Sequence, residues 1–116
     1  MNVIKKSREF STLELYKLLK DPETDSLKKH VGETLEVTGY VLREEDDGRT
    51  VLTLELSEGP ATGSNSATVQ QSFEDILAIY ESCGNPNPFP LLLDVFSKTA
   101  EKSGRPYINI RLVGEG

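Results

Sequence analysis

The spacing of apolar residues predicts a short helix near the start of the chain and a strand after it. Ser11 and Glu14 have the separation of a capping box, which predicts that a helix begins there and ends before Asp21-Pro22. Its buried face is expected to hold Leu13, Tyr16 (or Leu15) and Leu19. From Thr34 the period changes to two, which predicts a strand. One face of this strand would carry Leu35, Val37, Gly39 and Val41, and the other Glu36, Thr38, Tyr40 and Leu42.

The rest of the chain predicts four more strands and a second helix. Asp47-Gly48 is a turn signal between the first strand and a second one around Leu52 to Leu56, so these two strands form a hairpin. A loop over 59–66 leads to a brief third strand at 67–70. Ser72 is expected to cap a helix that Gly84 ends. Segments 91–98 and 106–113 are the last two strands, with a turn between them.

Five strands with a helix between the third and fourth indicate a mainly β fold, α+β by content, of the OB type: a five-stranded barrel preceded by an N-terminal helix. Gly39 supports this, because a small barrel needs a sharp bend where a residue without a side chain costs least. A plain antiparallel sheet with two packed helices would give the same pattern. We expect one OB-like domain over residues 1–116, with 1–30 as an N-terminal helical extension.

The composition is that of a globular protein, with 36% apolar and 28% charged residues. No apolar run approaches the roughly 20 residues that cross a bilayer, and no secretion signal follows Met1, so we expect a cytoplasmic protein that does not bind membranes. A single cysteine, Cys83, and a single histidine, His30, predict neither a disulfide nor a metal site. We expect no cofactor.

No group of residues predicts catalysis, so we expect the protein not to be an enzyme. The acidic run Glu44 to Asp47 lacks the spacing of a calcium loop and is expected to be a solvated turn. Cys83 falls at a helix C-terminus, where the dipole disfavours a thiolate, and is expected to be a half-buried apolar filler. The loop from Gly59 to Ser64 lacks the lysine of a phosphate-binding loop.

The cations of the chain are concentrated in its last hairpin. The net charge of −6 opposes binding to duplex DNA by charge alone, but residues 96–111 hold four cations and one acid. Aromatic rings among cations are the parts of a single-strand binding surface. The predicted binding residues are Tyr40, Phe96, Lys98, Lys102, Arg105, Tyr107 and Arg111. The same lysines would also protect an exposed edge strand, with Phe96 in the core.

Three segments resemble a group of small phage and prophage OB-like single-stranded DNA-binding proteins. They are Arg8 to Lys17, Gly39-Tyr40-Val41-Leu42 before an acidic turn, and the closing run Thr99 to Leu112 with its Ser-Gly-Arg-Pro-Tyr-Ile-Asn-Ile-Arg-Leu sequence. The resemblance implies an accessory protein of phage replication or recombination that binds single-stranded DNA. Many members end in an acidic partner-binding tail, which residues 113–116 do not resemble.

Two other classes of function fit the sequence. One is a small acidic inhibitor of a host nuclease or of host anti-phage defence, with Glu44 to Asp47 as its binding surface. The other is a protein-interaction module or structural phage protein, with a protein partner in place of DNA. The choice between DNA and RNA stays open, and pairing through an edge strand would give a homodimer.

Overall fold

The computed structural model describes residues 1–116 and consists of seven strands, two α-helices and one 3₁₀ helix. In chain order the elements are β1 (Asn2–Lys6), α1 (Thr12–Leu19), β2 (Asp25–Ser26), the 3₁₀ helix (Leu27–His30), β3 (Thr34–Glu44), β4 (Thr50–Leu56), β5 (Thr62–Ser64), α2 (Ala67–Ser82), β6 (Leu91–Thr99) and β7 (Pro106–Glu115). The protein is mainly β, as predicted. Neither α-helix combines the length and the apolar character needed to span a bilayer.

The strands form one curled, open sheet, a half-barrel, in the order β2-β5-β4-β3-β6-β7, with β1 also paired to β3. Strands β3 to β6 have the order of a Greek key, because β6 returns through α2 to lie beside β3. The prediction of a closed five-stranded barrel was therefore not confirmed: the sheet has seven strands and stays open. The two extra strands, β1 and β2, both lie within residues 1–30, the segment that we expected to be a helical extension.

Strand β3 is the centre of the sheet and pairs with three others. Its first half pairs with β6 on one side, its second half pairs with β1 on that same side, and β4 runs along the other side. The pairing with β4 shifts by one residue between Val37 and Gly39, which makes Thr38 a β-bulge. At Gly39 a Cβ would lie 2.7 Å from the Ser7 Oγ and 2.8 Å from the Glu55 Oε1, so any side chain there would have to displace these two groups.

The bulge makes the predicted alternation along β3 wrong after Thr38. Leu35 and Val37 point into the main core as expected, but Leu42 and half-buried Tyr40 point into the same core. Val41 instead packs on the opposite face of the sheet. A single inserted residue exchanges the two faces of a strand, because the side-chain period is two.

The two α-helices lie on opposite faces of the sheet. Helix α2 covers the main core, which consists of Leu27, Leu35, Val37, Leu42, Leu52, Leu54, Val69, Phe73, Leu91, Leu93, Val95 and Ile110. Helix α1 covers a smaller cluster in which Leu18 and Leu19 pack with Val41 and Ala61. The Ser11–Glu14 capping box is confirmed. The predicted face of α1 was right for Leu19 and for the alternative Leu15, which packs against the same cluster, and wrong for Leu13 and Tyr16, which are 62% and 53% exposed.

Helix α2 begins earlier than predicted. Its N-cap is Ser66, whose hydroxyl accepts a hydrogen bond from the Val69 N–H, and not Ser72. The predicted third strand at 67–70 is therefore the first turn of α2, and the third strand is Thr62–Ser64. Val69 favours strands by propensity, but its complete burial in the main core outweighs that preference. Gly84 follows the helix with a φ of +82°, as predicted.

The segment 25–33 crosses from the β5 edge of the sheet to β6. Its start pairs with β5, and at its end the Gly32 N–H donates to the Val95 carbonyl. Leu27, which belongs to this segment, is 1% exposed and packs in the main core. His30 lies between two carboxylates, with its Nε2 3.1 Å from Asp25 and its Nδ1 3.2 Å from Glu33. Only the imidazolium form, which has two N–H donors, can donate to both.

These contacts make the stability of the fold depend on the charge of His30. Burial lowers the pKa of His30, but hydrogen bonds to Glu33 and Asp25 outweigh burial and raise it above the ordinary 6.5. A pKa raised on folding stabilises the protein fully below 6.5, and the stabilisation is lost as pH rises through the folded value. His30→Gln should lower the free energy of unfolding by up to about 1 kcal/mol at acidic pH, and by less at alkaline pH.

Urea denaturation of wild type and variant across a pH series measures this difference. Lys29→Gln, an exposed neighbour on the same 3₁₀ helix, is the control and should show no such pH dependence. A gap between wild type and His30→Gln that widens as pH rises would contradict the interpretation.

Candidate nucleic-acid interface

Strands β6 and β7 form a long antiparallel hairpin whose outer face carries four of the predicted residues. The register joins Leu91 to Glu115 at one end and Thr99 to Pro106 at the other. Val95 and Ile110 are opposite each other and point into the main core. Residues an odd number of positions from Val95 or Ile110 along the same strand point outward. We name this outward set the ribbon face; it includes Asp94, Phe96, Lys98, Tyr107 and Arg111.

The ribbon face places rings and cations side by side. Lys98 and Tyr107 are direct cross-strand partners, and the Tyr107 side chain is 37% exposed. Phe96 is half-buried, and the Arg111 Cζ lies 5.2 Å from the centre of its ring. This distance permits a cation–π interaction. The Arg111 guanidinium is also 3.6 Å from the Asp94 carboxylate.

The turn between the two strands adds two more predicted residues, Lys102 and Arg105, which are both exposed. Gly104 closes this turn with a φ of +67°, a conformation that favours glycine. The only ion pair of the hairpin joins Arg111 to Asp94. Lys98, Lys102 and Arg105 therefore lie at one end of the molecule with no acidic side chain within ion-pair distance.

Tyr40 does not belong to this surface, contrary to the prediction. The bulge at Thr38 turns its ring toward α2, where its centroid lies 5.1 Å from that of Phe73 in an edge-to-face arrangement and 5.9 Å from that of Phe89. Burial raises the pKa of the Tyr40 hydroxyl, and the carboxylates of Glu74 and Glu81 raise it further. The ring is part of the packing between sheet and helix and is not open to a stacked base.

A polar groove of about 510 Å³, which no sequence pattern predicted, lies next to the hairpin. It runs from the end of α1 across β4 and β5 and reaches β7 at Ile108, and three cations line it: Lys20, Lys28 and Arg43. Arg43 is 9% exposed and donates from Nε to Glu45 at 2.7 Å and from Nη1 to the Thr53 Oγ1 at 3.1 Å. The only sequence feature that could have predicted the Arg43–Glu45 ion pair is their separation of two residues at the end of β3.

The acidic turn is largely paired. Asp46 lies 2.7 Å from the amino group of Met1, and Asp47 lies 2.7 Å from the Arg49 Nε. The hydrogen bond from Arg43 lowers the pKa of Glu45. Of the four acids, only Glu44 has no ion-pair partner. The turn therefore presents less free negative charge than its sequence indicates.

Two further expectations concern chemistry. Cys83 is exposed, so the expectation of a half-buried filler was wrong. It lies at the C-cap of α2, just after the buried part of that helix has ended. No group of three or more histidine, cysteine, aspartate or glutamate residues is positioned to hold a metal ion.

No protein-family model, curated protein or solved structure has significant similarity to this chain. The resemblance to phage OB-like single-stranded DNA-binding proteins therefore remains a prediction.

Strand β7 is an edge strand, and Asn109 occupies one of its backbone donors. The Asn109 Oδ1 accepts from the Ile110 N–H at 2.9 Å and from the Ser72 hydroxyl of α2 at 2.7 Å. The hydrogen bond from Ser72 links β7 to α2. The hydrogen bond from Ile110 leaves β7 with one backbone N–H fewer for pairing with another chain.

Asn109→Ala should lower the free energy of unfolding by about 1–2 kcal/mol, because it leaves two donors without their acceptor. Urea denaturation measures this loss, and light scattering coupled to gel filtration measures self-association. Asn87→Ala, in an exposed loop, is the control and should change neither quantity. Unchanged stability in Asn109→Ala would show that the two hydrogen bonds accepted by Asn109 do not contribute to the free energy of unfolding.

Proposed function

We propose that this protein is a single-stranded DNA-binding accessory protein of the phage replication or recombination type, that it has no catalytic activity, and that the β6–β7 hairpin binds the strand. The observation that carries the proposal is the group of three unpaired cations, Lys98, Lys102 and Arg105, beside the exposed ring of Tyr107. Cations bind phosphates, and an aromatic face stacks on any base, so the combination favours single strands without sequence preference.

The topology supports the same proposal at the level of fold. The Greek key of β3 to β6, with α2 between its third and fourth strands, agrees with an OB barrel, a fold that is partly open and binds oligonucleotides. We propose that the half-barrel is an open form of that fold. The hairpin turn at 100–105 then corresponds to the loop between the fourth and fifth strands, which is one of the two loops that bind ligands.

The charge distribution explains how a protein with a net charge of −6 can bind an anion. The field at a bound phosphate depends on nearby charges, because salt screens those beyond about 10 Å. Arg43, Arg49 and the amino group of Met1 pair with the acidic turn, which reduces its repulsion. The same pairing makes that turn a weaker candidate surface for the alternative function, an acidic inhibitor.

Wild-type protein should bind a fluorescently labelled oligothymidine, and Lys98→Glu with Arg105→Glu should abolish binding. Three cations that neutralise phosphates predict a slope of about −2 for log K against log salt concentration. Fluorescence anisotropy across a salt series measures both quantities. Lys17→Glu with Lys29→Glu makes the same charge change at exposed positions outside the hairpin, so this control should keep most of the affinity.

Stacking is tested separately at Tyr107. Tyr107→Ala should weaken binding by about 1–3 kcal/mol, whereas Tyr107→Phe keeps the ring and should bind nearly as well as wild type. If wild type does not bind the oligonucleotide even at low salt, the proposed function is wrong. If the control double variant loses as much affinity as the hairpin variant, binding is nonspecific attraction and the hairpin is not the site.

Asp94 opposes the proposed ligand, because it places a negative charge on the ribbon face and holds Arg111 over Phe96. Asp94→Asn should therefore tighten binding by up to about fivefold, the limit expected when one partly exposed ion pair releases its cation. Asn retains an oxygen that can accept from the Thr34 hydroxyl, as Asp94 does.

The same anisotropy titration tests Asp94→Asn, with Asp75→Asn on α2 as an equal charge change elsewhere. Weaker binding by Asp94→Asn would mean that the ion pair orders Arg111 for the ligand. In that case Arg111 would bind the DNA strand from the position that it occupies beside Asp94 and over the Phe96 ring.

A further inference from the structure

A pocket of about 90 Å³ lies between α2 and the sheet, on the face opposite α1. Its lining is mainly apolar: Leu42 and Leu52 come from the sheet, and Phe73 and Leu77 come from α2. The one polar uncharged residue of the lining, Gln70, has its amide hydrogen-bonded to Thr50. Tyr40 lines one side, and its hydroxyl forms no hydrogen bond with another residue. The bulge in β3 creates this pocket, because it turns Tyr40 and Leu42 toward α2.

The size of the pocket limits what it can hold. A cavity of about 150 Å³ in a protein core accepts a benzene ring. A cavity of 90 Å³ is too small for a ring of that kind, but it fits an aliphatic group of about four carbons. The apolar lining favours such a group over water, which needs two or more polar partners in a buried site.

The rim of the pocket carries opposite charges on opposite sides. Lys5 lies on the sheet side, in β1, paired in register with Leu42. Glu74 and Glu81 lie on the helix side, seven residues apart and hence on the same face of α2. All three side chains are exposed, and none of them belongs to an ion pair. The cation is therefore not neutralised across the mouth of the pocket by either carboxylate.

We propose that this pocket binds a free aliphatic α-amino acid of the size of leucine. The aliphatic side chain enters between Leu42, Leu52 and Leu77. The ammonium group interacts with Glu74 and Glu81, and the carboxylate group with Lys5. The ligand matches the site because it has an apolar group and two opposite charges on one carbon. An alkylamine would leave Lys5 without a partner, and a fatty acid would meet the two glutamates.

Binding is measured on the full chain by calorimetry and by chemical-shift titration of the ¹⁵N-labelled protein. The probes are L-leucine, 3-methylbutylamine, which lacks the carboxylate, 4-methylpentanoate, which lacks the ammonium group, and glycine, which lacks the side chain. L-Leucine should give saturable shifts in residues around Tyr40 and Leu77. The amine and the carboxylate analogues should each bind at least about tenfold more weakly, the effect of losing one charge-assisted contact. Glycine should also bind at least about tenfold more weakly, because it has no apolar side chain to bury.

Three variants test the residues of the site. Ala78→Leu adds bulk at an exposed lining position of the pocket, where a helix tolerates leucine, and should abolish binding. Lys5→Met should weaken leucine binding about tenfold and leave 3-methylbutylamine unaffected or tighter. Glu74→Gln with Glu81→Gln should weaken leucine binding and leave 4-methylpentanoate unaffected or tighter. Lys6→Met and Glu58→Gln, exposed and outside the pocket, are controls that should bind as wild type.

Each result either supports or contradicts the proposal that the pocket binds a leucine-sized amino acid. Saturable leucine binding that Ala78→Leu removes supports the proposal. If L-leucine gives no saturable shift at millimolar concentration, the proposal is wrong. Equal affinities for leucine and 3-methylbutylamine would also overturn it, because the carboxylate would then not be recognised. None of these results depends on whether the hairpin binds DNA.

Discussion

The bulge at Thr38 is the feature on which the rest of the structure depends. Strand β3 pairs with β1, β4 and β6, and its side chains reach both layers of the core. Before the bulge Leu35 and Val37 point toward α2; after it Leu42 does so, while Val41 packs under α1. One extra residue thus lets a single strand supply apolar side chains to both helices. Gly39 follows the bulge directly, and a side chain at this position would have to displace the Ser7 hydroxyl and the Glu55 carboxylate.

The same constraint shapes both proposed binding sites. By turning Tyr40 toward Phe73, the bulge places this ring in the lining of the pocket under α2 and outside the proposed nucleic-acid surface. The proposed DNA site is then confined to the hairpin, where Val95 and Ile110 anchor the inner face and leave the ribbon face outside. The two sites differ in chemistry: one holds unpaired cations beside a ring, and the other holds an apolar pocket with opposite charges on its rim.

Ion pairs within the fold make the surface charge of this protein uneven, so the net charge of −6 does not describe every part of the surface. Most of the acidic turn is matched by Arg43, Arg49 and the amino group of Met1. The cations of the hairpin turn have no such partners. A chain with a net charge of −6 can therefore present a local positive surface, because a bound phosphate is affected mainly by charges within the screening distance. Asp94 is the exception within the ribbon face, and it holds Arg111 against Phe96.

Local patterns were enough to predict the features that depend on neighbours in the chain. The capping box at Ser11, the hairpin turn at Gly48, the end of α2 at Gly84 and the last hairpin all follow from residues a few positions apart. Local patterns also predicted that Phe96 and Lys98 lie on one face of a strand and that a turn holds Lys102 and Arg105. Contacts between distant segments could not be read this way. The bulge depends on how β1 and β4 approach Gly39, and the start of α2 depends on a place for Val69 in the core. The strand β1, the open edge of the sheet and the burial of Tyr40 arise because packing across the whole chain outweighs the preference of any short segment.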